Sequence, residues 1–182
     1  MPEPESAPSH GGQKASRFRW FDEQLQPQWR RYLGQSLLAT LVLWLISTLL
    51  DATLGTTLVA SLGASTFIVF AMPSSIAART RSVLGGYLLS AGAGVICTGL
   101  ALWWGRAQGG AHAPIVVSGA LAVGLSMLLM VSLDCEHPPA AGLALGLVTE
   151  PWDWRTLLAA LAAVSGLALA HRALRRWLLD LT

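Results

Sequence analysis

Long stretches without charge dominate the hydrophobic pattern of this chain. About 20 helical residues cross the roughly 30 Å hydrocarbon core of a bilayer, and four stretches are that long: Tyr32–Leu50, Ala52–Ala78, Ser82–Gly105 and Ala107–Leu133. Two shorter runs follow, His137–Thr149 and Thr156–Ala170, and the second reaches about Leu174 if His171 and Arg172 extend to the interface. The pattern predicts an all-α, polytopic bundle of transmembrane helices.

Composition agrees with a membrane protein. Hydrophobic residues make up 53% of the 182 residues and charged residues 12%, whereas an average soluble domain carries about 25% charged residues. A soluble domain and a disordered chain are both excluded for the bulk of the sequence. No basic patch alternates with aromatics, so we expect no nucleic-acid partner. The spacing of Cys97 and Cys135 indicates neither a metal site nor a disulfide framework, and we expect no cofactor.

The N-terminal part divides into two segments before the apolar region. Residues 1–16 are rich in Pro, Gly and Ser without an apolar core, which predicts a disordered tail rather than a signal peptide. Residues 17–31 mix arginines with Trp20, Phe21 and Trp29. This mixture favours a segment on the cytoplasmic membrane surface, with a solvated linker as the alternative. Residues 32–176 form the predicted transmembrane domain.

The arginines set the expected number of crossings, because Arg and Lys collect on the cytoplasmic side of a membrane. They precede the first run, separate the second from the third, and close the chain: Arg17, Arg19, Arg30, Arg31, Arg79, Arg81, Arg172, Arg175 and Arg176. All fall on one side only if the number of crossings is even, so His137–Thr149 must also cross. We predict about six crossings, in the cell inner membrane, with both termini cytoplasmic.

The short run His137–Thr149 predicts a half-helix, because its residues are too few for a full helical crossing. Pro138 disfavours helical backbone at His137 and suits the first turn of a helix. We therefore expect His137 to cap a helix that begins at Pro138, with its N-terminus inside the membrane. Small and hydroxyl residues also interrupt an apolar stretch near Ser61–Thr66, which predicts a second break, with close helix packing as the alternative.

Two features of the spans concern packing and symmetry. Gly86, Ser90 and Gly94 recur at every fourth position, as in helix-packing faces of membrane proteins. Spans one to three and four to six would each place one broken element between two full helices. Such halves, with an odd number of crossings each, favour a 3+3 inverted repeat, the plan of many secondary transporters.

Four blocks of sequence resemble the HPP family of integral membrane proteins. The string Glu136-His137-Pro138-Pro139-Ala140 is similar to the signature of that family, and residues 62–65, 70–75 and 81–86 are similar to the rest of its pattern. The resemblance covers about residues 33–172. It implies a membrane domain usually described with four spans, against the six crossings expected here. Plant members are associated with nitrite movement across the chloroplast envelope, so the resemblance implies anion transport.

A small monovalent anion needs positive potential without a strongly trapping charge, which helix N-termini, hydroxyls and a histidine can supply. The candidate binding residues lie around the two expected breaks: His137, Pro138, Pro139, Ala140, Glu136, Asp134, Gly63, Ala64, Ser65, Thr66, Pro73, Ser74 and Ser75. His137 either contacts the anion or only caps the helix. Asp134 and Glu136 either share protons along the path or lie solvated at its mouth.

The expected function is membrane transport of a small inorganic anion, with nitrite as the first candidate. The expected partners are that anion and the lipid bilayer, and homo-oligomers are left open. Two other classes remain: an intramembrane enzyme using residues 134–137, and a scaffold without transport. Four consecutive residues cannot all face one metal, and a scaffold has little use for ionisable residues in an apolar setting, so we expect no enzyme activity.

Overall fold

The computed structural model of the chain describes residues 25–49, 55–107 and 113–181. These residues form six α-helices and one 3₁₀ turn, Ile76–Ala78, without a strand among them. The helices are α1 Leu25–Leu49, α2 Thr56–Ala71, α3 Thr80–Ala107, α4 Ala113–Ser132, α5 Ala140–Thr149 and α6 Trp154–Leu174. The predicted helical bundle is confirmed. The expected tail 1–16 and residues 17–24 of the surface segment lie outside the described residues, and residues 25–31 belong to α1.

Consecutive helices run in opposite directions. The side-chain amide of Gln35, near the start of α1, donates to the carbonyls of Phe70 at the end of α2 and of Leu179 beyond α6. Seven arginines of the described residues share this end, which we call the arginine-rich end: Arg30, Arg31, Arg79, Arg81, Arg172, Arg175 and Arg176. The start of α1 and the end of α6 therefore lie together, as an even number of crossings requires.

Among the described residues, three helices are long and apolar enough to cross a membrane by length and composition: α3, α4 and α6. The helices α2 and α5 are apolar but shorter. With ten residues, α5 spans about 15 Å, half of the hydrocarbon core. It lies between α2, α3 and α4, so protein surrounds this short helix.

The packing of the six helices follows a simple exchange rule. Helix α3 packs on α4, α5 and α6; α5 packs on α2 and α4; α1 packs on α2 and α6; and α2 packs on α6. Exchanging α1, α2 and α3 with α4, α5 and α6 turns this set of pairs into itself, and each exchanged helix runs in the opposite direction. This pattern is the one that a 3+3 inverted repeat produces.

Glycines let α5 approach its neighbours closely. A Cβ atom added at Gly94 of α3 would lie 2.9 Å from Leu147 Cδ1 and 3.1 Å from the Cα of Ala144. One added at Gly86 would lie 2.9 Å from His137 Cβ, and one at Gly142 of α5 would lie 3.0 Å from Ser61 Cβ. The packing role predicted for Gly86 and Gly94 is confirmed, since a side chain at either position would displace α5 or the turn before it.

The break predicted near Ser61–Thr66 is wrong, because α2 is continuous from Thr56 to Ala71. Ser65 and Thr66 turn their hydroxyls back to the carbonyls of Ser61 and Leu62, at 2.9 and 2.8 Å. Hydroxyls satisfied in this way are compatible with an unbroken helix. The chain leaves the helix only at Met72, which precedes the buried Pro73.

The half-helix predicted after His137 is present, but its regular part begins at Ala140 rather than Pro138. The N–H groups of Ala140, Ala141 and Gly142 bond to the carbonyls of His137, Pro138 and Pro139, at 2.9 to 3.1 Å. The first turn is therefore wound with bonds between residues three apart. Pro138 and Pro139 have no N–H group, so neither of them needs a hydrogen-bond acceptor in this turn.

Candidate functional site

A buried polar cluster lies where the start of α5 meets α2 and α3. Its members are Ser61 and Ser65 of α2, Tyr87 of α3, and His137 with Pro139 before α5. Ser65 and His137 have no exposed surface, and Tyr87 is 1% exposed. Among candidate residues, the structure thus brings Ser65, His137 and Pro139 together. Gly86 lies about six residues, or about 9 Å, from the start of α3 and packs on His137, so the cluster lies inside the bundle.

Both ring nitrogens of His137 have protein partners. Nδ1 lies 2.7 Å from the carbonyl oxygen of Ala77. A carbonyl can only accept, so Nδ1 carries a proton and donates it. Nε2 lies 2.9 Å from the hydroxyl oxygen of Ser65. The ring therefore connects the turn after α2, the interior of α2 and the start of α5. A buried histidine at the start of a helix is expected to have its polar atoms paired in this way.

Tyr87 connects the two serines. Its hydroxyl oxygen lies 2.8 Å from the Oγ atoms of both Ser61 and Ser65. Ser61 in turn donates to the carbonyl oxygen of Pro139 at 2.5 Å. The hydroxyl of Tyr87 thus has two acceptors within reach, and the polar tip of this aromatic residue is satisfied in an apolar bundle.

The cluster admits two complete hydrogen-bond arrangements. With a neutral imidazole, Nε2 accepts from the Ser65 hydroxyl. With an imidazolium, Nε2–H donates to Ser65, and Ser65 donates instead to the carbonyl of Ser61, 2.9 Å away. Tyr87 donates to Ser61 or Ser65 in both. A single rotation of the Ser65 hydroxyl therefore accommodates a proton on His137.

The turn after α2 positions the partner of His137. Ser75 caps the 3₁₀ turn Ile76–Ala78, because its Oγ accepts the N–H of Ala78 at 3.2 Å. This turn directs the carbonyl of Ala77 at His137. The N–H of Ser74 donates to Asp180 Oδ1 at 3.2 Å. Ser74 and Ser75, with Pro73, thus lie in the supporting turn and outside the cluster itself.

Asp134 ends α4 rather than entering the bundle. Its φ of 53° is left-handed, its N–H bonds to Val131 O, and the N–H of Cys135 bonds to Met130 O at 2.9 Å. These bonds make a Schellman motif with Asp134 at the position that usually holds glycine. Its carboxylate is exposed and lies 3.4 Å from Arg81. Glu136 is also exposed.

A groove of about 340 Å³ leads from Glu136 to the cluster. It is lined by His137, Pro138 and Ala141 on one side and by residues of α4 on the other: Val123, Met127, Met130 and Val131. The exposed Glu136 therefore lies at the edge of this groove, and His137 and Pro138 lie along it. Ala140 is buried at the start of α5.

The remaining candidates on α2 face elsewhere. Gly63 and Thr66 line a cavity of about 430 Å³ between α1 and α2, together with Tyr32, Gln35, Ser36 and Thr40. Ala64 is exposed. Because Ser61 and Ser65 point to the opposite side of the helix, this cavity is separate from the buried cluster.

Ser61 and Tyr87 were not among the predicted site residues. Ser61 lies one helical turn before Ser65, so both share a face with Leu58, Leu62 and Val69. Tyr87 carries a hydroxyl within a small-residue face of a membrane span, and such a group needs a partner. Both signals were available in the sequence once α2 was treated as continuous.

At the far end of the bundle, α5 is fixed to α2 and α3. Glu150 Oε1 accepts the N–H and the hydroxyl of Thr57, at 2.9 and 2.7 Å, and so caps the N-terminus of α2. The carbonyl of Leu147 accepts from Thr98 Oγ1 and from Trp152 Nε1, each at 2.6 Å. Both ends of α5 thus depend on polar side chains.

Within residues 25–49, 55–107 and 113–181, no three metal-ligating side chains of His, Cys, Asp or Glu come together. Cys97 and Cys135 are both free and buried. Two buried serine hydroxyls, at Ser90 and Ser118, have no hydrogen-bond partner in the described part of the chain.

Comparison with known proteins gives one family. The family model described as "HPP, transmembrane region" matches residues 24–176. This range includes all six described helices. No curated protein and no solved structure matches the chain. The matched range holds the buried cluster, both short helices and the His-Pro-Pro turn, and the chain is a member of the HPP transmembrane family.

Proposed function

We propose that this protein transports a small monovalent anion, with nitrite as the first candidate, through the region between α2 and α5. The observation that carries the proposal is the position of the buried cluster. The cluster lies where α2 contacts the start of α5. These two short helices correspond to each other when α1–α3 are exchanged with α4–α6. In secondary transporters built from inverted repeats, substrate sites lie at the repeat interface beside discontinuous helices.

The chemistry of the cluster suits an anion that arrives with a proton. An imidazolium in an apolar interior is costly without a counter-charge. An anion beside His137 would supply that charge, and the two hydrogen-bond arrangements allow the proton to be accepted. The anion and its proton are neutral together, so their passage avoids moving an isolated charge through the bundle. The proposal is therefore co-transport of an anion and a proton.

The donors available to the anion are side chains rather than the helix backbone. The first N–H groups of α5 are already bonded to the turn that precedes it. The hydroxyls of Ser61, Ser65 and Tyr87 and the imidazole of His137 can exchange a protein partner for the anion. The partial positive charge at the start of α5 adds a favourable potential.

The remaining parts of the proposal concern placement. The protein lies in the cell inner membrane with its arginine-rich end facing the cytoplasm. Both ends of the chain are then cytoplasmic. The anion and the bilayer are the partners. No enzymatic reaction is involved, and assembly into a homo-oligomer is left to measurement.

Reconstitution of the full chain into liposomes tests the proposal. We expect protein-dependent, saturable nitrite uptake that accelerates when the outside is made more acidic than the inside. Nitrate, formate and chloride as competitors measure selectivity. Uptake at the rate of protein-free liposomes, for all four anions and with or without a pH gradient, would contradict transport and favour a scaffold.

A further inference from the structure

A basic groove lies at the arginine-rich end, between the first turns of α1 and the segment that follows α6. It encloses about 440 Å³. Its lining comes from two parts of the chain: Arg31, Gly34, Gln35 and Leu38 from α1, and Arg176, Trp177, Leu178 and Leu179 from the C-terminal segment. The groove lies apart from the buried cluster and takes no part in the transport proposal.

The charge of this groove has one sign. Arg31 and Arg176 are both exposed and line it from opposite walls. None of its lining residues in the described part of the chain is acidic. The acidic residue of the C-terminal segment, Asp180, accepts the N–H of Ser74 instead. Two guanidinium groups on facing walls are suited to a phosphate, which accepts several hydrogen bonds at once.

The neutral parts of the groove place it at a membrane interface. Trp177 is 68% exposed, and the guanidinium of Arg176 lies 4.7 Å from the centre of its ring. Exposed tryptophans collect at the level of lipid headgroups. Leu38 and Leu178 provide an apolar wall next to the arginines. A ligand with a phosphate and a hydrocarbon portion can contact both.

Gln35 links the groove to the fold. Its side chain donates to the carbonyls of Phe70 and Leu179 and accepts the N–H of Leu179 at 3.2 Å. It thereby attaches the C-terminal segment to α1 and α2 at the base of the groove. A ligand that bridges Arg31 and Arg176 would strengthen the same attachment, so occupancy should raise the stability of the bundle.

From these observations we infer that the groove binds the phosphate headgroup of an anionic phospholipid. Basic pockets between helices on the cytoplasmic side are suited to such headgroups. The expected ligand is a membrane lipid rather than free phosphate, because the apolar wall and the exposed tryptophan would contact nothing on a free ion.

Lipid binding to the purified full chain in a neutral detergent tests the inference. We expect phosphatidylglycerol to bind more tightly than phosphatidylcholine of the same acyl chains, and to raise the unfolding temperature more. Each arginine near a membrane surface contributes about a fivefold factor, so Arg31→Gln with Arg176→Gln should weaken phosphatidylglycerol binding about thirtyfold. The preference should also vanish for the unsubstituted chain in about 1 M salt, where screening is strong.

The far end of the bundle offers a matched control. The guanidinium of Arg155 lies 5.5 Å from the ring centre of Trp154, the same kind of pair as Arg176 with Trp177, and Arg155 is not a lining residue of the groove. Arg155→Gln should keep the full preference for phosphatidylglycerol. Equal loss in this variant, an unchanged preference in the double variant, or full stabilisation by inorganic phosphate alone would each overturn the inference.

Discussion

At the scale of single residues, the ionisable groups of the His-Pro-Pro segment divide into a buried histidine and exposed carboxylates. His137 is enclosed, and both of its nitrogens are bonded. Asp134 and Glu136 are exposed, Asp134 beside Arg81 and Glu136 at the edge of a groove. The sequence predicted the importance of His137 from the prolines that follow it. Its partners come from residues about 60 and 72 positions away, and no local pattern contains such pairings.

Ser65 should matter for flux because its hydroxyl is the group that exchanges partners when His137 gains a proton. We expect Ser65→Ala to weaken the apparent affinity for nitrite in liposome uptake by about 1–3 kcal/mol, the cost of an unmade hydrogen bond in a buried site. Ser90→Ala is the matched control, since Ser90 is equally buried and its hydroxyl has no partner in the described part of the chain. Equal affinities in the two variants would return Ser65 to a packing role.

Asp134 should be replaceable by glycine. Its φ of 53° is a conformation that glycine adopts without steric cost, and its ion pair with Arg81 is exposed and contributes little. We expect Asp134→Gly to keep nitrite uptake and to keep or raise the unfolding temperature in detergent. Loss of uptake with an unchanged unfolding temperature would place this carboxylate in the transport path.

At the scale of elements, the half-helix was predictable and the continuity of α2 was not. Two adjacent prolines before an apolar run too short to cross indicate a helix start inside the membrane, and α5 follows. The small and hydroxyl residues of α2 were compatible with two structures. One is a break, and the other is a closely packed helix whose hydroxyls bond to its own carbonyls. Which holds depends on Gly142 and Tyr87, which contact Ser61 from other helices.

The close packing of α5 on α3 gives a prediction for a glycine pair on one helix. A Cβ at Gly94 would meet Leu147 and the backbone of Ala144 at 2.9–3.1 Å, whereas one at Gly92 would meet no atom within 4 Å. We expect Gly94→Ala to destabilise the bundle by about 1–3 kcal/mol and Gly92→Ala to keep or slightly raise the unfolding temperature, because alanine favours a helix over glycine. Thermal unfolding in detergent measures both. Similar midpoints would show that α5 is free to move away from α3.

At the scale of the whole molecule, charge predicted the direction of the helices before any contact was known. The even number of crossings followed from the arginines, and the structure brings the start of α1 and the end of α6 to one end. The inverted repeat was predicted from halves that each place a broken element between two full helices. The helix pairing agrees with such a repeat, although α2 itself is unbroken.

Topology should follow the distribution of arginines. Added cysteines at Gly109 and Trp152 should react with a membrane-impermeant reagent in intact cells, because the end of α3, the start of α4 and Trp152 lie at the end opposite the arginine-rich end. The unsubstituted chain should stay unlabelled, since Cys97 and Cys135 are buried. A cysteine at Ser74, at the arginine-rich end, should react only after the cells are opened. Protection of both far-end sites in intact cells would contradict six crossings.

Nitrite flux into liposomes with His137 replaced tests whether the buried cluster carries an anion together with a proton. We expect His137→Ala to lose most of the flux and His137→Gln to keep a small part of it. Flux of the unsubstituted protein should fall as pH rises through the His137 pKa, because the imidazolium is lost, and His137→Gln should show no such fall. The ionisable side chains of Tyr87, Cys135 and Glu136 near His137 remain in both variants.

His171→Gln serves as the control in the same measurement, since His171 is a second buried histidine, in the last turn of α6 and outside the cluster. It should transport at the rate of the unsubstituted protein with the same pH profile. If His137→Gln also transports at that rate and with that profile, His137 is only a helix cap, and the account of the cluster as a proton-coupled anion site is contradicted.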